Sequence, residues 1–262
     1  MSSSGSTRRK GLLLDTTLCV GCGACYLACK EKNGLPRACE NPLDDELSAR
    51  TYTVVKASGG RYVRRMCMHC ETPTCVSVCP VLALEKTELG PVVYHEDRCM
   101  GCRYCMQACP FFAPKYEWEK LMPLVRKCDL CADRLQAGLP TACAGACPTG
   151  ATTFGDRDAL IEEAHARIRS GKRKYVDHIF GVEEVGGTSV LLISDVPFET
   201  LGYKSDLPKH PLPLLTWEVL ERVPGFAAVG GVILGGIWWI TRRRMEVAEA
   251  AAREKGVSHE EV

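Results

Sequence analysis

The stretch that decides the fold is Cys99-Met-Gly-Cys102-Arg-Tyr-Cys105-Met-Gln-Ala-Cys109-Pro110, with gaps of two, two and three residues between its cysteines. Thiols at positions i, i+3 and i+6 of one loop can wrap a corner of a cubane [4Fe–4S] cluster and supply three of its four ligands. In the two-cluster ferredoxin pattern, the fourth cysteine, just before the proline, ligates the other cluster of a pair. The stretch therefore predicts a cluster-binding module that works with a second one.

Three further modules of this kind make an internal repeat that organises the chain as far as Cys147. Module one keeps the basic spacing, module two widens one gap to four residues, and module four widens one gap to eleven. The wider gaps only lengthen the loop between two ligands. The modules contain Cys19, Cys22, Cys25 and Cys29; Cys67, Cys70, Cys75 and Cys79; Cys99, Cys102, Cys105 and Cys109; and Cys128, Cys131, Cys143 and Cys147.

Disulfides and structural zinc are the competing explanations for so many cysteines, and both fit poorly. The total of 17 is odd, so a disulfide framework would leave one thiol over. Cysteines two or three residues apart also form disulfides only with local strain. Structural zinc sites use Cys-x2-Cys pairs separated by longer loops, whereas modules one and three each place three cysteines within seven residues. The remaining cysteine, Cys39, lies outside every module, and we expect it to be a buried, inert thiol.

Composition and the N-terminus place further bounds on function. The 262 residues carry a net charge of only +1, which gives no electrostatic case for a nucleic-acid partner. Arg8 and Arg9 precede a short apolar stretch, as in a twin-arginine export signal. The apolar run ends at Asp15 and a cysteine motif begins at Cys19, so the stretch is too short for a cleavable signal. An ordinary basic tail is the favoured interpretation.

Between and after the modules, the sequence predicts short strands and one helix. Residues 51–56 and 61–65 have strand composition around a Ser58-Gly59-Gly60 turn, which predicts a hairpin in the insertion between modules one and two. Further strands are predicted at 91–95, 151–154 and 189–194. A helix is predicted from an N-cap at Asp156 to Gly171, with one apolar face formed by Leu160, Ile161, Ala164 and Ile168.

The last apolar segment, Val223 to Thr241, predicts a transmembrane helix because it has nineteen residues without a charge. At about 1.5 Å per residue it reaches close to the ~30 Å thickness of the bilayer interior. Trp238 and Trp239 lie near one end, as interface aromatics do, and three arginines follow at 242–244. A buried core helix is the alternative.

The same segment suggests an orientation and a partner. Arginines concentrate on its C-terminal side, so the positive-inside rule places the C-terminus in the cytoplasm and the cluster-bearing domain on the periplasmic or outer face. Export together with a partner that carries the signal would reconcile this with the missing signal peptide, and a cytoplasm-facing domain remains the alternative. Ala227, Gly231 and Gly235 recur every fourth residue, which would let another membrane helix approach closely.

The chain resembles the four-cluster iron–sulfur (beta) subunits of bacterial respiratory oxidoreductases. Its membrane-anchored architecture is similar to the subunits of formate dehydrogenase-N and of membrane uptake hydrogenases. The similarity covers nearly the whole chain. The motifs that carry it lie at 18–25, 67–70, 75–80, 102–110, 127–131 and 147–151, with Gly186-Gly187-Thr188 and Leu207-Pro-Lys209 before the span.

The resemblance implies four [4Fe–4S] clusters and a ligand partition that crosses between modules. All sixteen implied ligand positions are cysteine, so no [3Fe–4S] cluster is expected. Cluster A would be held by Cys19, Cys22, Cys25 and Cys147, and cluster B by Cys128, Cys131, Cys143 and Cys29. Cluster C would be held by Cys67, Cys70, Cys75 and Cys109, and cluster D by Cys99, Cys102, Cys105 and Cys79.

The resemblance also implies a fold and an organisation. We expect an α+β protein of tandem ferredoxin-like modules, with short hairpins and helices and one C-terminal transmembrane helix. The expected parts are an N-terminal tail at 1–18, a four-cluster domain at 19–215, a membrane anchor at 216–241 and a charged cytoplasmic tail at 242–262. Within the domain, 30–65 would be the hairpin insertion and 66–120 the inner module pair.

The implied function is electron transfer without catalysis. Electrons would pass between a catalytic subunit, either a molybdopterin enzyme such as formate dehydrogenase or a [NiFe] hydrogenase, and an integral membrane quinone or haem subunit. A soluble ferredoxin shuttle is the alternative, and the apolar segment argues against it. An enzyme whose own cluster reacts with a substrate usually needs an iron without a protein ligand, and full cysteine occupancy argues against that. Arg65, Lys127 and Lys30 lie next to ligands and are candidates for tuning a cluster's potential, with ordinary surface charges as the alternative. His69 is expected to be a spacer.

Overall fold

The computed structural model describes residues 9–37, 39–171 and 173–254, and the chain divides into two compact units, Met1–Pro213 and Leu214–Val262. Arg8, which begins the twin-arginine pair, lies outside the described residues, as do residues 255–262 of the expected C-terminal tail. The first unit mixes short helices with small sheets, and the second is helical. The expected α+β class is confirmed.

A three-stranded sheet forms the centre of the first unit. Its strands are β1 (Lys10–Asp15), β8 (Thr152–Asp156) and β9 (Val190–Ile193), and β1 lies in the middle, antiparallel to β8 and parallel to β9. Because both faces of β1 are covered, it is a continuous apolar run rather than an alternating one. The expectation that residues 1–18 are a tail is therefore wrong for β1.

Helix α6 (Arg157–Arg169) covers one face of this sheet. Leu160 and Ala164 are buried against Leu13, Leu191 and Ile193, with Ile161 and Ile168 packed at the edge. Helix α6 has Asp156 as its N-cap residue, and Gly171 follows its end with φ +65°. The predicted helix, its apolar face and its boundaries are confirmed.

The insertion folds as the predicted hairpin. Strands β2 (Thr53–Ser58) and β3 (Arg61–Met66) pair antiparallel, with Val55 opposite Arg64. Gly59 and Gly60 both have positive φ, which suits the two-residue turn between twisted strands. The hairpin ends at Met66, directly before the first cysteine of module two.

Each module places its third cysteine in the same local structure, as the second residue of a helix. The helices are α1 (Ala24–Lys32), α2 (Thr74–Ser77), α3 (Tyr104–Gln107) and α5 (Ala142–Gly145). The widened gap of module four accommodates one more helix, α4 (Ala132–Gln136). Two short hairpins complete the unit: β4 (Leu84–Lys86) with β5 (Val92–Tyr94), and β6 (Lys115–Tyr116) with β7 (Val125–Arg126).

The second unit consists of α7 (Leu212–Leu220), which begins at the boundary, and α8 (Val223–Glu254). Most of its large apolar side chains are exposed, among them Phe226, Trp238 and Trp239. The helical stretch Leu212–Arg253 is long and apolar enough to cross a membrane, judged by length and composition. Helix α8 also continues past Thr241, so part of the expected charged tail is helical.

Candidate metal centres

The structure gathers the sixteen module cysteines into four groups of four. Three groups each line a cavity, and the fourth is a cluster of thiols that act on one another electrostatically. Site A is defined by Cys19, Cys22, Cys25 and Cys147. Site B is defined by Cys29, Cys128, Cys131 and Cys143. Site C is defined by Cys67, Cys70, Cys75 and Cys109. Site D is defined by Cys79, Cys99, Cys102 and Cys105.

The groups cross between modules because helices of different modules pack together. Helix α1 packs against α5, and α2 packs against α3. Each contact brings the last cysteine of one module to the first three of another. Sites A and B therefore form an outer pair from modules one and four, whereas sites C and D form an inner pair from modules two and three.

The backbone of the four loops repeats as closely as the cysteines do. The residue directly before the second cysteine has positive φ in every module: Gly21, His69, Gly101 and Leu130. A left-handed residue turns the chain sharply, so that the loop curls around a central space. Glycine takes this conformation without strain, whereas His69 and Leu130 need support from their surroundings.

His69 obtains that support from a buried hydrogen bond. Its imidazole is fully buried, and Nδ1 accepts a hydrogen bond of 2.9 Å from the backbone N–H of Val92. This bond ties the site C loop to β5 and assigns the ring proton to Nε2. Among the described residues, Nε2 has no hydrogen-bond partner. His69 is thus a structural link rather than only a spacer.

Burial raises the pKa of most of these thiols, and neighbouring cysteines raise it further. The pKa of Cys29 rises to about 12 by burial and then by the charge of Cys143. Burial and Cys67 likewise raise the pKa of Cys75 to about 12. Four thiolates in one buried space repel one another, so they ionise together only around a strong cationic centre. A bound metal is such a centre, and a thiol that coordinates it therefore loses its proton.

The groups are wider than a single-ion site. Within the described ranges, no three His, Cys, Asp or Glu side chains form a group that could hold one metal ion. Zinc would need four thiolates about 2.3 Å from one point. Here the cysteines of sites A, B and D instead line the walls of cavities. Such an arrangement suits a metal cluster with one thiol at each corner, and the residues present fit a cubane.

Cations near the sites differ from those that adjacency in sequence suggested. Arg65 stacks on the Tyr203 ring and donates to the Leu201 carbonyl oxygen. Lys30 donates to Thr51 Oγ1 at 2.6 Å and lies 3.6 Å from an Asp45 carboxylate oxygen. These two candidates are engaged with other partners. Lys127 is buried, and its charge acts on Cys75 and Cys109 of site C.

Two side chains that sequence reasoning missed also line the cavities. Arg64 lines both site A and site B. Tyr94 lines site D, where its hydroxyl interacts with the Cys99 sulfur at longer range than an ordinary hydrogen bond. Period-two alternation along β3 and β5 is the one sequence signal for such residues, and it shows which residues share a face without showing what that face meets.

Cys39 lies apart from all four sites. Its thiol donates to the backbone carbonyl of Asn41 at 3.2 Å. The side chain is partly exposed, so the expectation of a buried thiol is wrong.

Comparisons with known proteins point to the same kind of cofactor as the cysteine groups do. A family model described as a 4Fe-4S dicluster domain matches residues 59–157. A protein of Nitratidesulfovibrio vulgaris is 38% identical over 253 residues, which cover 91% of this chain and 68% of that protein. The hydrogenase-2 operon protein HybA of Escherichia coli O157:H7 is 38% identical over 245 residues, covering 76% of this chain and 73% of HybA. The iron-sulfur subunit of the nitrate-inducible formate dehydrogenase of Escherichia coli K12 is 34% identical over 227 residues, covering 79% of this chain and 76% of that subunit.

Proposed function

This chain belongs to the family of iron–sulfur subunits of respiratory oxidoreductases, and we propose that it relays electrons through four [4Fe–4S] clusters held at sites A to D. The family's members are electron-transfer subunits rather than catalytic ones, and so is this chain. The single observation that carries the proposal is the grouping of sixteen thiols into four sets of four. When bound, a [4Fe–4S] cluster takes up and gives back one electron at a potential that its surroundings set.

The chain's own residues support relay rather than substrate chemistry. Each site offers four cysteines, so every iron of a cubane would have a protein ligand and none would be open to a substrate. Crossed ligation ties the two sites of a pair to the same packed helices, α1 with α5 and α2 with α3. Because tunnelling rates fall steeply with distance, such close and fixed spacing favours fast transfer within each pair.

We propose that the electrons pass between a catalytic subunit and a membrane subunit. The relatives named above belong to a hydrogenase operon and to a formate dehydrogenase. The catalytic partner proposed here is accordingly either a [NiFe] hydrogenase or a molybdopterin enzyme. On the other side, a quinone-linked or haem-containing membrane subunit would exchange electrons with the chain.

The proposed anchor is the apolar part of helix α8. Its length and composition suit a membrane span, and the arginines at 242–244 favour a cytoplasmic C-terminus with the metal centres on the periplasmic face. Fractionation tests this against a soluble shuttle. The chain should stay with the membranes without detergent and leave them when Val223–Glu254 is deleted. Recovery of the intact chain in the soluble fraction would contradict the anchor.

The decisive experiment for the clusters is a metal count on the chain purified with its bound partners. We expect about 16 iron atoms in the chain, which is four cubanes of four irons, beyond the iron of the partners. Cys39→Ser is the matched control, because it removes a thiol outside the four sites and should leave the iron content unchanged. Zinc in place of iron would contradict the proposal. Molybdenum or tungsten in the complex would indicate a formate-dehydrogenase-like partner, and nickel a hydrogenase.

A further inference from the structure

Arg64 lies between the two sites of the outer pair. It is on β3, and its side chain lines the cavity of site A together with Cys25 and Cys147. The same side chain lines the cavity of site B together with Cys128 and Cys143. One guanidinium group therefore faces both sets of thiols.

The guanidinium is held in place by two hydroxyl groups. Its Nε donates to Thr53 Oγ1 at 2.8 Å, and its Nη1 donates to Thr152 Oγ1 at 3.2 Å. These threonines belong to β2 and β8, so the hairpin and the central sheet fix the group from two directions. Arg64 is 6% exposed, and water cannot solvate its charge to any large extent.

The charge of Arg64 has no carboxylate partner among the residues that the structure describes. Lys30, which is also buried, lies 3.6 Å from Asp45, and the half-buried Lys86 lies 3.3 Å from Glu71. Of the buried cations in the described residues, Lys127 at site C shares with Arg64 the lack of a carboxylate within ion-pair distance. A buried charge without a counter-charge is strongly destabilising. The groups on which the charge of Arg64 acts are instead the thiols of Cys143, Cys25 and Cys128. Its counter-charge must therefore come from what those thiols hold.

We propose that Arg64 is the shared counter-charge of the clusters at sites A and B and raises the reduction potential of both. The inference rests on the proposed function, in that it requires clusters at these two sites. A fixed positive charge stabilises the more negative, reduced form of a cluster more than the oxidised form, and charge is one of the factors that set cluster potentials. Because arginine keeps its proton at any ordinary pH, the effect is constant across the physiological range.

Placement between two sites makes the effect on them joint. Electrons that pass from site A to site B stay close to the same cation, so neither site becomes a deep trap relative to the other. Arg64 thus sets the reduction potentials of both sites without being a ligand of either. Its neighbour Arg65 lies on the opposite face of β3 and stacks on Tyr203.

The test is a potentiometric titration of the purified complex followed by low-temperature EPR spectroscopy. Arg64→Gln keeps hydrogen-bonding capacity but removes the charge. We expect two of the four cluster signals of the chain to shift to lower potential. At fixed ambient potential, their reduced-to-oxidised ratios should fall at least tenfold, which is 59 mV for one electron. The matched control Arg65→Gln removes the neighbouring charge and should shift none of the four signals.

Arg64→Lys distinguishes charge from shape. It keeps the positive charge, so both potentials should return most of the way to those of the unaltered chain. If Arg64→Gln loses the iron of two clusters and Arg64→Lys restores it, the counter-charge role is supported as well. Four unshifted signals, four equally shifted signals, or an iron loss that lysine does not restore would overturn the inference. An unaltered chain with far fewer than about 16 irons would instead overturn the proposed function.

Discussion

The outer pair and the inner pair of metal sites solve the same electrostatic problem in different ways. In the outer pair, one buried guanidinium, that of Arg64, lines both sites. In the inner pair, the buried Lys127 acts on the thiols of site C, whereas site D is lined by the neutral phenol of Tyr94 and by Arg103, which is exposed to solvent. If clusters occupy the four sites as proposed, this difference would set the potentials at sites A and B together and those at sites C and D separately.

The pairs also differ in how the chain builds them. Modules two and three are neighbours in sequence, so the inner pair needs only local packing. Modules one and four stand at the two ends of the repeat, and they meet because β1 pairs with β8 in the central sheet. Loop closure over so many residues is costly in entropy. The outer pair therefore depends on the sheet, which also supplies Thr152, one of the two threonines that hold Arg64.

Replacement of single cysteine ligands is expected to have the largest effect. It tests directly whether modules one and four share sites A and B. Cys29 belongs to module one, yet the structure places it in site B. We expect Cys29→Ala to lower the iron content from about 16 to about 12 atoms. Its EPR difference spectrum should match that of Cys131→Ala, a site B variant, and not that of Cys22→Ala, a site A variant. A match to Cys22→Ala would show that modules one and four do not cross.

Removal of Lys127, the more deeply buried of two cations that act on site C, is expected to have the next largest effect. Lys127 is buried, and its Nζ donates to the Cys128 carbonyl at 2.9 Å. A buried positive charge stabilises the reduced, more negative form of a nearby cluster over the oxidised form. Lys127→Met should therefore lower the reduction potential of one cluster signal. At fixed ambient potential, the reduced-to-oxidised ratio of that signal should fall more than tenfold, whereas Arg64→Gln should shift two signals.

The signal that moves should be the one that Cys70→Ala abolishes, since Cys70 belongs to site C. Lys120→Met is a suitable control, because Lys120 is half-exposed and pairs with Glu117 at 2.8 Å. A shift by Lys127→Met of the signal that Cys102→Ala abolishes, which is that of site D, would contradict the separate tuning of the inner pair.

A smaller effect, on the stability of the fold, is expected from Glu71, which lies where the inner pair joins the central sheet. Glu71 follows Cys70, and its carboxylate accepts from Ser189 Oγ at 3.0 Å and pairs with Lys86 at 3.3 Å. Burial raises the pKa of Glu71, but Lys86, Arg9 and Ser189 outweigh it, so the net pKa is lowered. The ionised carboxylate therefore stabilises the fold above the unfolded-state pKa, near 4.5, and this contribution is lost as pH falls through the lower native pKa.

Glu71→Gln should accordingly speed the loss of visible absorbance in guanidinium chloride at pH 7, by the equivalent of about 1–3 kcal/mol for a charged hydrogen-bonded group. The difference from the unaltered chain should shrink as pH falls below about 4. Glu119→Gln, at an exposed position, should behave like the unaltered chain throughout. A difference that grows in acid would contradict the assigned role of Glu71.

The sequence predicts the features of the two pairs that depend on local spacing, and it does not predict those that depend on contacts between distant segments. Ligand spacing is local, so four modules could be identified, and the resemblance implied their crossed partition. The helix from Arg157 and the β2–β3 hairpin follow from local signals in the same way. Arg64 could not be found, because its role depends on three strands and two sites that meet only in the folded chain.

Two further features of the fold, strand β1 and the length of helix α8, do not follow from local sequence signals. Residues 10–15 form a strand that the sequence does not reveal, since a continuous leucine run has no strand alternation and its partners β8 and β9 lie far along the chain. Helix α8 continues past Thr241 because the end of an apolar run is not the end of a helix. The residues that follow are mostly alanine, glutamate and arginine, which all favour helix.

The smallest expected effect concerns Tyr94, the neutral side chain that lines site D. Burial raises the pKa of the Tyr94 hydroxyl, and the nearby Cys99 sulfur raises it further, so the phenol stays neutral. A neutral donor stabilises a reduced cluster far less than a buried cation does. Tyr94→Phe should therefore lower the reduction potential of one signal, the one that Cys102→Ala abolishes. Its reduced-to-oxidised ratio at fixed ambient potential should fall by less than the tenfold change expected for Lys127→Met. Tyr104→Phe, at an exposed position, is the control. An equal or larger shift from Tyr94→Phe would mean that hydrogen bonding, rather than buried charge, dominates the inner pair.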